Sequence, residues 1–101
     1  MSAAAPAGSC FIYIVRCNDD SLYVGHTANV PERVETHNDG RGALWTACRR
    51  PVNLVYHEQH ASEAQAIDRE RQIKRWTHAK KLALINGDRS KLKLLAKRQI
   101  R

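Results

Sequence analysis

Five side chains in this sequence can move protons, neutralise anions or hold a cation: Tyr13, Tyr23, Arg33, His37 and Glu70. Arginine keeps its charge and can neutralise an anion. Histidine gains or loses a proton near neutral pH, and a carboxylate is a ligand for hard cations. Whether these groups act together depends on the helices and strands that carry them.

The stretch "SLYVGHTANVPERVETH" (residues 21–37) begins as a strand and continues as a helix. Asn29 is a suitable N-cap, and Pro31 suits the first turn. Val30, Arg33, Val34 and His37 follow at i, i+3, i+4 and i+7, which places Arg33 and His37 on the face meant for packing. An inward histidine in isolation is usually a hydrogen-bonded core residue, and that alternative stays open for His37.

Glu70 lies on the apolar stripe of a helix predicted over 63–76, three residues from both Ile67 and Ile73. An ionised carboxylate on such a stripe is costly unless it is paired or binds a metal. The structural alternative is a buried ion pair between Glu70 and an arginine. Such a pair would explain Arg33 but would leave His37 without a role.

Two apolar, β-rich runs at 11–17 and 22–26 predict a β-hairpin. If residues 18–20 form a three-residue loop, Val15 faces Tyr23, and Tyr13 and Tyr23 share one face of the sheet. A two-residue loop would place them on opposite faces. On the hairpin pattern by itself, two aromatic side chains that cover a sheet face are an equally good interpretation.

The remaining pattern predicts one α+β domain with a small three-stranded antiparallel sheet flanked by helices, in the order β-β-α-β-α-α-α. Residues 38–51 contain Gly40, Gly42 and Pro51 and are predicted to be a loop. A third strand with Val52, Leu54 and Tyr56 alternating is expected over 52–58. Further helices are expected over 63–76, where Ser62 and Gln65 form a capping box, over 78–86 and over 89–100.

Length and charge bound the organisation and the partner. The chain of 101 residues is expected to form a tail (1–9), one domain (10–86) and a basic C-terminal helix packed on it (87–101). Residues 70–101 hold eleven of the seventeen basic residues and two of the ten acidic ones. Such a cationic third suggests a nucleic acid partner, although a solvated helix surface has the same composition.

Several classes of protein are disfavoured. No apolar run approaches the length of a membrane span, and the N-terminus lacks the pattern of a signal peptide, so no membrane partner is expected. Cys10, Cys17 and Cys48 form neither an even set nor a C-x-x-C motif. A disulfide framework is therefore not expected, and a cytoplasmic location fits best.

The ordered set "FIY" (11–13), "YVG" (23–25), Arg33, His37 and Glu70 resembles the GIY-YIG nuclease domain. Over about residues 10–86, stretches such as "THNDGRGALWT" and "DRERQIKRWTHAKKLALINGD" look like its short stand-alone bacterial members, the YhbQ-like group. Two positions depart from the family. Phe11 replaces the first glycine of the first triplet, and His26 replaces a lysine that several members carry.

The resemblance implies a role for each matching residue. Tyr13 and Tyr23 would be the two motif tyrosines, Arg33 the catalytic arginine, and His37 the residue at a position that is His or Tyr in the family. Gly25 would be the structural glycine of the second triplet. Glu70 would bind one divalent cation, with Mg²⁺ favoured and Mn²⁺ as the alternative. Asn86 would give polar support, or it simply ends a helix before Gly87.

The resemblance also implies the activity. A metal-dependent endonuclease would hydrolyse phosphodiester bonds in nucleic acid, with DNA favoured over RNA and a tyrosine activating the attacking water. The residues leave open which tyrosine is the base, and they leave the oligomeric state open. The alternative is a nucleic-acid-binding module of the same fold without turnover. Candidate nucleic acid contacts are His26, Arg49, Arg50, Lys74, Lys80 and Lys81.

Overall fold

The computed structural model describes residues 7–99, and the side chains within 7–94. Residues 1–6 of the expected tail and residue 100 of the last expected helix lie outside this part. The elements are β1 (Cys10–Arg16), β2 (Leu22–Thr27), α1 (Val30–Asn38), α2 (Leu44–Ala47), β3 (Asn53–His60), α3 (Glu63–Lys74), α4 (His78–Ile85) and α5 (Arg89–Gln99). The three strands form one antiparallel sheet in the order β2-β1-β3, so the predicted α+β class is confirmed.

The β1–β2 hairpin has the register that a three-residue loop dictates. Val15 pairs with Tyr23 and Tyr13 pairs with Gly25, so the two tyrosines share one face of the sheet, as predicted. The loop is closed by a hydrogen bond of 2.8 Å from the amide of Cys17 to the carbonyl of Ser21. Asp20, the last loop residue, has a φ of 67°, the left-handed conformation that this type of turn requires.

Side chains from the two faces of the sheet enter two separate apolar clusters. On one face Ile12, Ile14 and Val24 pack with Ala66 and Ile73 of α3. The other face is covered by α1, where Val30 and Val34 pack with Tyr13 and its neighbours on β1. The hairpin therefore carries the tyrosines on the α1 side, whereas Glu70 comes from the helix on the opposite side.

Strand β3 does not alternate as the sequence suggested. A bulge interrupts the β1–β3 pairing between Ile14 and Val15, so that Ile14 pairs with Tyr56 and Val15 with Leu54. Leu54 and Tyr56 consequently point to opposite faces of the sheet, because one extra residue shifts the side-chain alternation. The prediction that they share a face is wrong.

Local hydrogen bonds fix the ends of the helices. The Asn29 side chain accepts from the amide of Glu32 and caps α1, and Ser62 caps α3 by accepting from Gln65. The α3 helix ends at Lys74, two residues earlier than predicted. Gly87 follows the end of α4, and its φ of 71° and its hydrogen bond to Leu84 mark a left-handed C-terminal cap. Among the described residues, the element that the sequence did not predict is α2, inside the expected loop.

Helix α5 follows Asp88 and contacts α4. The expected division at residue 87 between a domain and an appended helix stays a prediction. Within residues 7–99, none of the helices is both long and apolar enough to cross a membrane.

Gly25 is needed because the Tyr13 ring lies directly across from it. A Cβ atom at Gly25 would stand 2.5 Å from Oη and 2.6 Å from Cζ of Tyr13. We expect Gly25→Ala to lower the free energy of unfolding by about 1–3 kcal/mol, as overpacking does. At an unobstructed strand position the same change would stabilise the protein, since alanine loses less backbone entropy. Urea denaturation measures the difference.

The Tyr13→Ala background is the control. Once the ring is gone, Gly25→Ala should no longer destabilise the protein, so the two changes should be strongly non-additive. An equal loss of stability in both backgrounds would show that the Tyr13 ring is not the obstacle.

Candidate active site

A chain of three hydrogen bonds is buried between β1, α1 and α2. Thr46 Oγ1 donates its proton to the Ala43 carbonyl at 2.8 Å, so it accepts from Nδ1–H of His37, also at 2.8 Å. Nε2 of His37 then carries a lone pair and accepts from the Tyr13 hydroxyl at 2.7 Å. His37 is 1 % exposed. In its neutral form His37 is therefore held as the Nδ1–H tautomer, with the lone pair of Nε2 facing Tyr13.

A second glycine makes room for this histidine. A Cβ atom at Gly42 would lie 2.9 Å from Cε1 and Cγ of His37 and closer still to Nδ1, in the gap between α1 and α2. Sequence reasoning treated Gly42 and Thr46 as parts of a loop and missed both. Their spacing offered no signal, because their function depends on a contact with a helix several residues away.

Burial shifts the pKa values of the two partners in opposite directions. It raises the pKa of Tyr13; Tyr23 and Glu70 add to the rise, and Arg33 acts against it. Burial also lowers the pKa of His37, and the nearby Arg33 lowers it further. Both groups are thus held neutral at pH 7, which suits a proton relay better than a permanent ion pair.

Tyr23 is the more accessible of the two motif tyrosines. It is half-buried, and its ring meets the edge of His37 with centroids 5.3 Å apart. Trp45 of α2 lies nearly parallel to it at 6.2 Å, and Nζ of Lys74 is 5.5 Å above it. Tyr23 therefore connects the buried hydrogen-bond chain to the surface.

Arg33 lies at the rim of the site. It is exposed and does not point inward as the helical stripe predicted, although its charge reaches Tyr13 and His37. Together with His26 it lines a polar cavity of about 480 Å³ between α1, the start of α3 and the end of β2. A long arginine near the first turn of a helix can keep its charged end in water while its stem packs.

Glu70 is held between the side chains of His26 and Lys74. Its Oε1 lies 2.5 Å from Nδ1 of His26 and its Oε2 lies 2.8 Å from Nζ of Lys74. Burial favours a raised pKa for this carboxyl, but hydrogen bonds from Lys74 and His26 outweigh it and hold the pKa of Glu70 below its usual value. The alternative of a buried Glu70–Arg33 pair is wrong, since the ion-pair partners of Glu70 are His26 and Lys74.

The site is set in a recognisable domain, since residues 9–83 match the family described as the GIY-YIG catalytic domain. The chain belongs to the GIY-YIG family. This is a nuclease family, and the resemblance seen in the sequence is confirmed. The chain is 52% identical over 77 residues to UPF0213 proteins of Staphylococcus aureus strains Mu50 and N315, covering 76% of this chain and 94% of theirs. Their names state no activity.

A solved structure agrees with the fold. The solution NMR structure of the UPF0213 protein BH0048 from Bacillus halodurans is 32% identical to this chain, with a TM-score of 0.52. The likeness covers 79% of this chain and 85% of that protein. This chain and the solved Bacillus halodurans protein therefore share their fold over most of both chains.

Some of the cationic residues that we expected to contact nucleic acid make contacts within the protein. Lys80 is buried with its Nζ 4.1 Å from the centre of the Trp76 ring, so it is not presented to a ligand. Arg49 and Arg50 donate to the carbonyls of Trp45 and Ala47 and brace the loop around α2. The burial of Lys80 argues against a contact there, whereas half-buried Arg49 and exposed Arg50 stay predicted nucleic acid contacts.

Other candidates remain at the surface. Lys74 is exposed beside Glu70, and Lys81 is half-buried with its pKa lowered by burial and by Lys74. His26 is engaged by Glu70. Asn86 is the exposed C-cap residue of α4, which is the structural alternative that the sequence had left open. Its expected role as polar support for the site stays a prediction.

A divalent cation suits the carboxylate of Glu70, but it would compete for that carboxylate with His26 and Lys74. Within residues 7–99, no group of three or more His, Cys, Asp or Glu side chains could enclose an ion. A lone ionised carboxylate with water completing the shell is a set that Mg²⁺ accepts. The ion stays a prediction, and it would have to replace Lys74 or His26 on one carboxylate oxygen.

The burial of neutral His37 predicts a pH-dependent stability. In the unfolded chain a histidine has its ordinary pKa of about 6.5, and in the folded protein that of His37 is lower. Below pH ~6.5 the unfolded state binds a proton that the folded state excludes, so the free energy of unfolding should fall as pH drops from about 7.5 to about 5. His37→Gln should flatten this fall.

Urea denaturation at several pH values measures the slope, with exposed His78→Gln as the matched control. The control should keep the wild-type slope. Equal slopes for the wild type and His37→Gln would contradict the lowered pKa of His37.

Proposed function

We propose that this protein is a divalent-cation-dependent endonuclease that hydrolyses phosphodiester bonds in DNA. The observation that carries the proposal is the hydrogen bond from the Tyr13 hydroxyl to Nε2 of His37, beside Tyr23 in a GIY-YIG domain. His37 is fixed by Thr46 in the tautomer that points its lone pair at a motif tyrosine.

In this proposal Tyr13 and His37 act as one base. As the attacking water loses a proton to the Tyr13 oxygen, Tyr13 passes its own proton to Nε2 of His37. The water oxygen bonds to phosphorus, and the bond from phosphorus to the leaving oxygen breaks. Because no free phenolate has to form, the raised pKa of Tyr13 does not prevent this step. Tyr23, nearer the surface, orients the water and the substrate.

Two groups of charges handle the phosphate. Arg33, exposed at the rim, neutralises the phosphoryl oxygens as charge builds on them. Lys74 and Lys81 lie on the same side as Glu70 and bind the flanking backbone. Glu70 would hold one Mg²⁺ or Mn²⁺ ion, which when bound supplies positive charge to the scissile phosphate and to the leaving oxygen.

One observation favours the alternative of a nucleic-acid-binding module without turnover. Both oxygens of Glu70 are already engaged, by His26 and by Lys74. If these pairs persisted in the presence of a cation, the domain would present a basic, phosphate-binding surface and no metal centre. The two functions differ in what Glu70 does, so Glu70 is the position to change.

Glu70→Gln keeps the shape of the side chain and removes its charge. In the proposed enzyme the variant should fold and bind DNA, and nicking of supercoiled plasmid in Mg²⁺ or Mn²⁺ should fall at least ~100-fold, since a metal supplies several kcal/mol of transition-state stabilisation. EDTA should abolish nicking by the wild type. Plasmid nicking and thermal melting are measured on the same preparations.

Asp68→Asn, exposed on the same helix, is the matched control and should nick like the wild type. Wild-type nicking by Glu70→Gln would remove Glu70 from the reaction. Tight binding with no nicking of DNA or RNA in either cation would establish the binding module instead.

Charge near Glu70 should govern the affinity for DNA. The double change Lys74→Gln with Lys81→Gln should lower the slope of log K against log salt by up to ~0.7–0.9 for each phosphate that the variant no longer binds. Fluorescence anisotropy in EDTA measures it without cleavage. The control, Lys91→Gln with Lys93→Gln, removes the same charge from exposed positions on α5 and should change the slope less. Equal changes would mean that net charge, and not this site, determines binding.

A further inference from the structure

Helix α2 presents two large apolar side chains to solvent next to the candidate active site. Leu44 is 85 % exposed and Trp45 is 39 % exposed. Packing does not account for Leu44, which leaves nearly its whole side chain in water. Two such neighbours on a four-residue helix form a small protruding apolar surface, called here the Leu44–Trp45 patch.

Trp45 is held in a defined orientation. The guanidinium of Arg49 lies 4.0 Å from the centre of its ring, and the same arginine donates to the Trp45 carbonyl at 2.8 Å. Asp19 fixes Arg49 from the other side at 3.1 Å. Tyr23 lies nearly parallel to the indole, with an interplanar angle of 24°. An aromatic side chain oriented in advance loses little entropy when it binds a planar ligand.

The surroundings of the patch are cationic. Arg49 lies against Trp45, and Lys74 stands over the ring of Tyr23, which is the neighbour of Trp45. The chain carries a net charge of +7. Aromatic rings beside positive charges are the combination that binds single-stranded nucleic acids, where bases stack and phosphates pair with cations.

We propose that the Leu44–Trp45 patch binds unpaired bases, so that the protein prefers single-stranded or locally opened DNA over intact duplex. This inference rests on the proposed function, because it names the form of the substrate for that site. Contact with the exposed part of Trp45, 39 % of the residue, and with Leu44 requires a base with a free face. A duplex offers one only after unstacking, which costs a few kcal/mol.

A second copy of the chain is the competing occupant of an apolar patch. Charge argues against it, because two molecules of net charge +7 would repel and the patch is flanked by Arg49 and, beyond Tyr23, by Lys74. A polyanion satisfies the apolar and the cationic features together.

The test compares affinities for a single-stranded oligonucleotide and for the same sequence as a blunt duplex, in EDTA, by fluorescence anisotropy. Trp45→Leu removes stacking but keeps apolar volume, and Trp45→Phe keeps a ring. Leu44→Ser removes the neighbouring side chain, and Leu94→Ser, at another exposed leucine (54 % exposed), is the matched control. Melting curves verify that each variant is folded.

We expect the ratio of single-strand to duplex affinity to fall about tenfold in Trp45→Leu, within the range measured for one stacked base. Trp45→Phe should keep most of the ratio, Leu44→Ser should lower it, and Leu94→Ser should leave it unchanged. Indole fluorescence of the wild type should be quenched by the single strand. Because EDTA suppresses cleavage, loss of this preference is distinguishable from loss of nuclease activity.

Two results would overturn the proposal. One is a ratio of single-strand to duplex affinity that Trp45→Leu leaves unchanged. If both affinities fell equally, the patch would be a general contact for nucleic acid. The other is a wild-type dimer in light scattering that Leu44→Ser converts to a monomer, which would assign the patch to self-association.

Discussion

The site depends on two aromatic rings that each lie against a glycine. Tyr13 occupies the space where a Cβ of Gly25 would be, and His37 occupies the corresponding space at Gly42. Only with both rings this deep in the fold can the Tyr13 hydroxyl reach Nε2 of His37 at 2.7 Å. The hairpin register places Tyr13 opposite Gly25, and the loop before α2 places Gly42 against α1. A change in the hairpin register or in the loop before α2 would separate the two rings. The proton relay therefore depends on the backbone geometry of both segments.

Charge is distributed so that the interior of the site is neutral and its rim is ionised. Burial keeps Tyr13 protonated and His37 unprotonated, each with a pKa shifted away from ionisation. Arg33 stands in solvent, and Glu70 is kept negative by Lys74 and His26. A relay among neutral groups avoids the desolvation of a permanent buried ion pair. The charges that an anionic substrate would meet therefore lie where water or a ligand can reach them.

Local rules predicted the parts of the fold that short stretches determine. Loop length fixes strand parity, so the common face of Tyr13 and Tyr23 followed from the three residues between the strands. Asn29 and Ser62 marked helix starts because caps act within one turn. Contacts between distant segments were not accessible. The bulge at Val55 depends on pairing with β1, and the burial of Lys80 depends on Trp76. The support of His37 comes from Thr46, in a stretch whose glycines suggested only a loop. Helical periodicity placed Arg33 on the inward stripe of α1, but the residue is exposed, because a long side chain can keep its charged tip in water.

Helix α2, which the sequence did not predict, contributes to both the support of His37 and the proposed contact with the substrate. Thr46 and Trp45 are adjacent in the chain, yet Thr46 is buried against His37 and Trp45 faces solvent beside Tyr23. Both side chains belong to the same turn of a four-residue helix. A base that stacks on Trp45 would therefore press on the same turn that holds the tautomer of His37. Recognition of the nucleic acid and alignment of the proton relay would then be two consequences of one rigid turn, which connects the form of the substrate to the chemistry without any large movement of the domain.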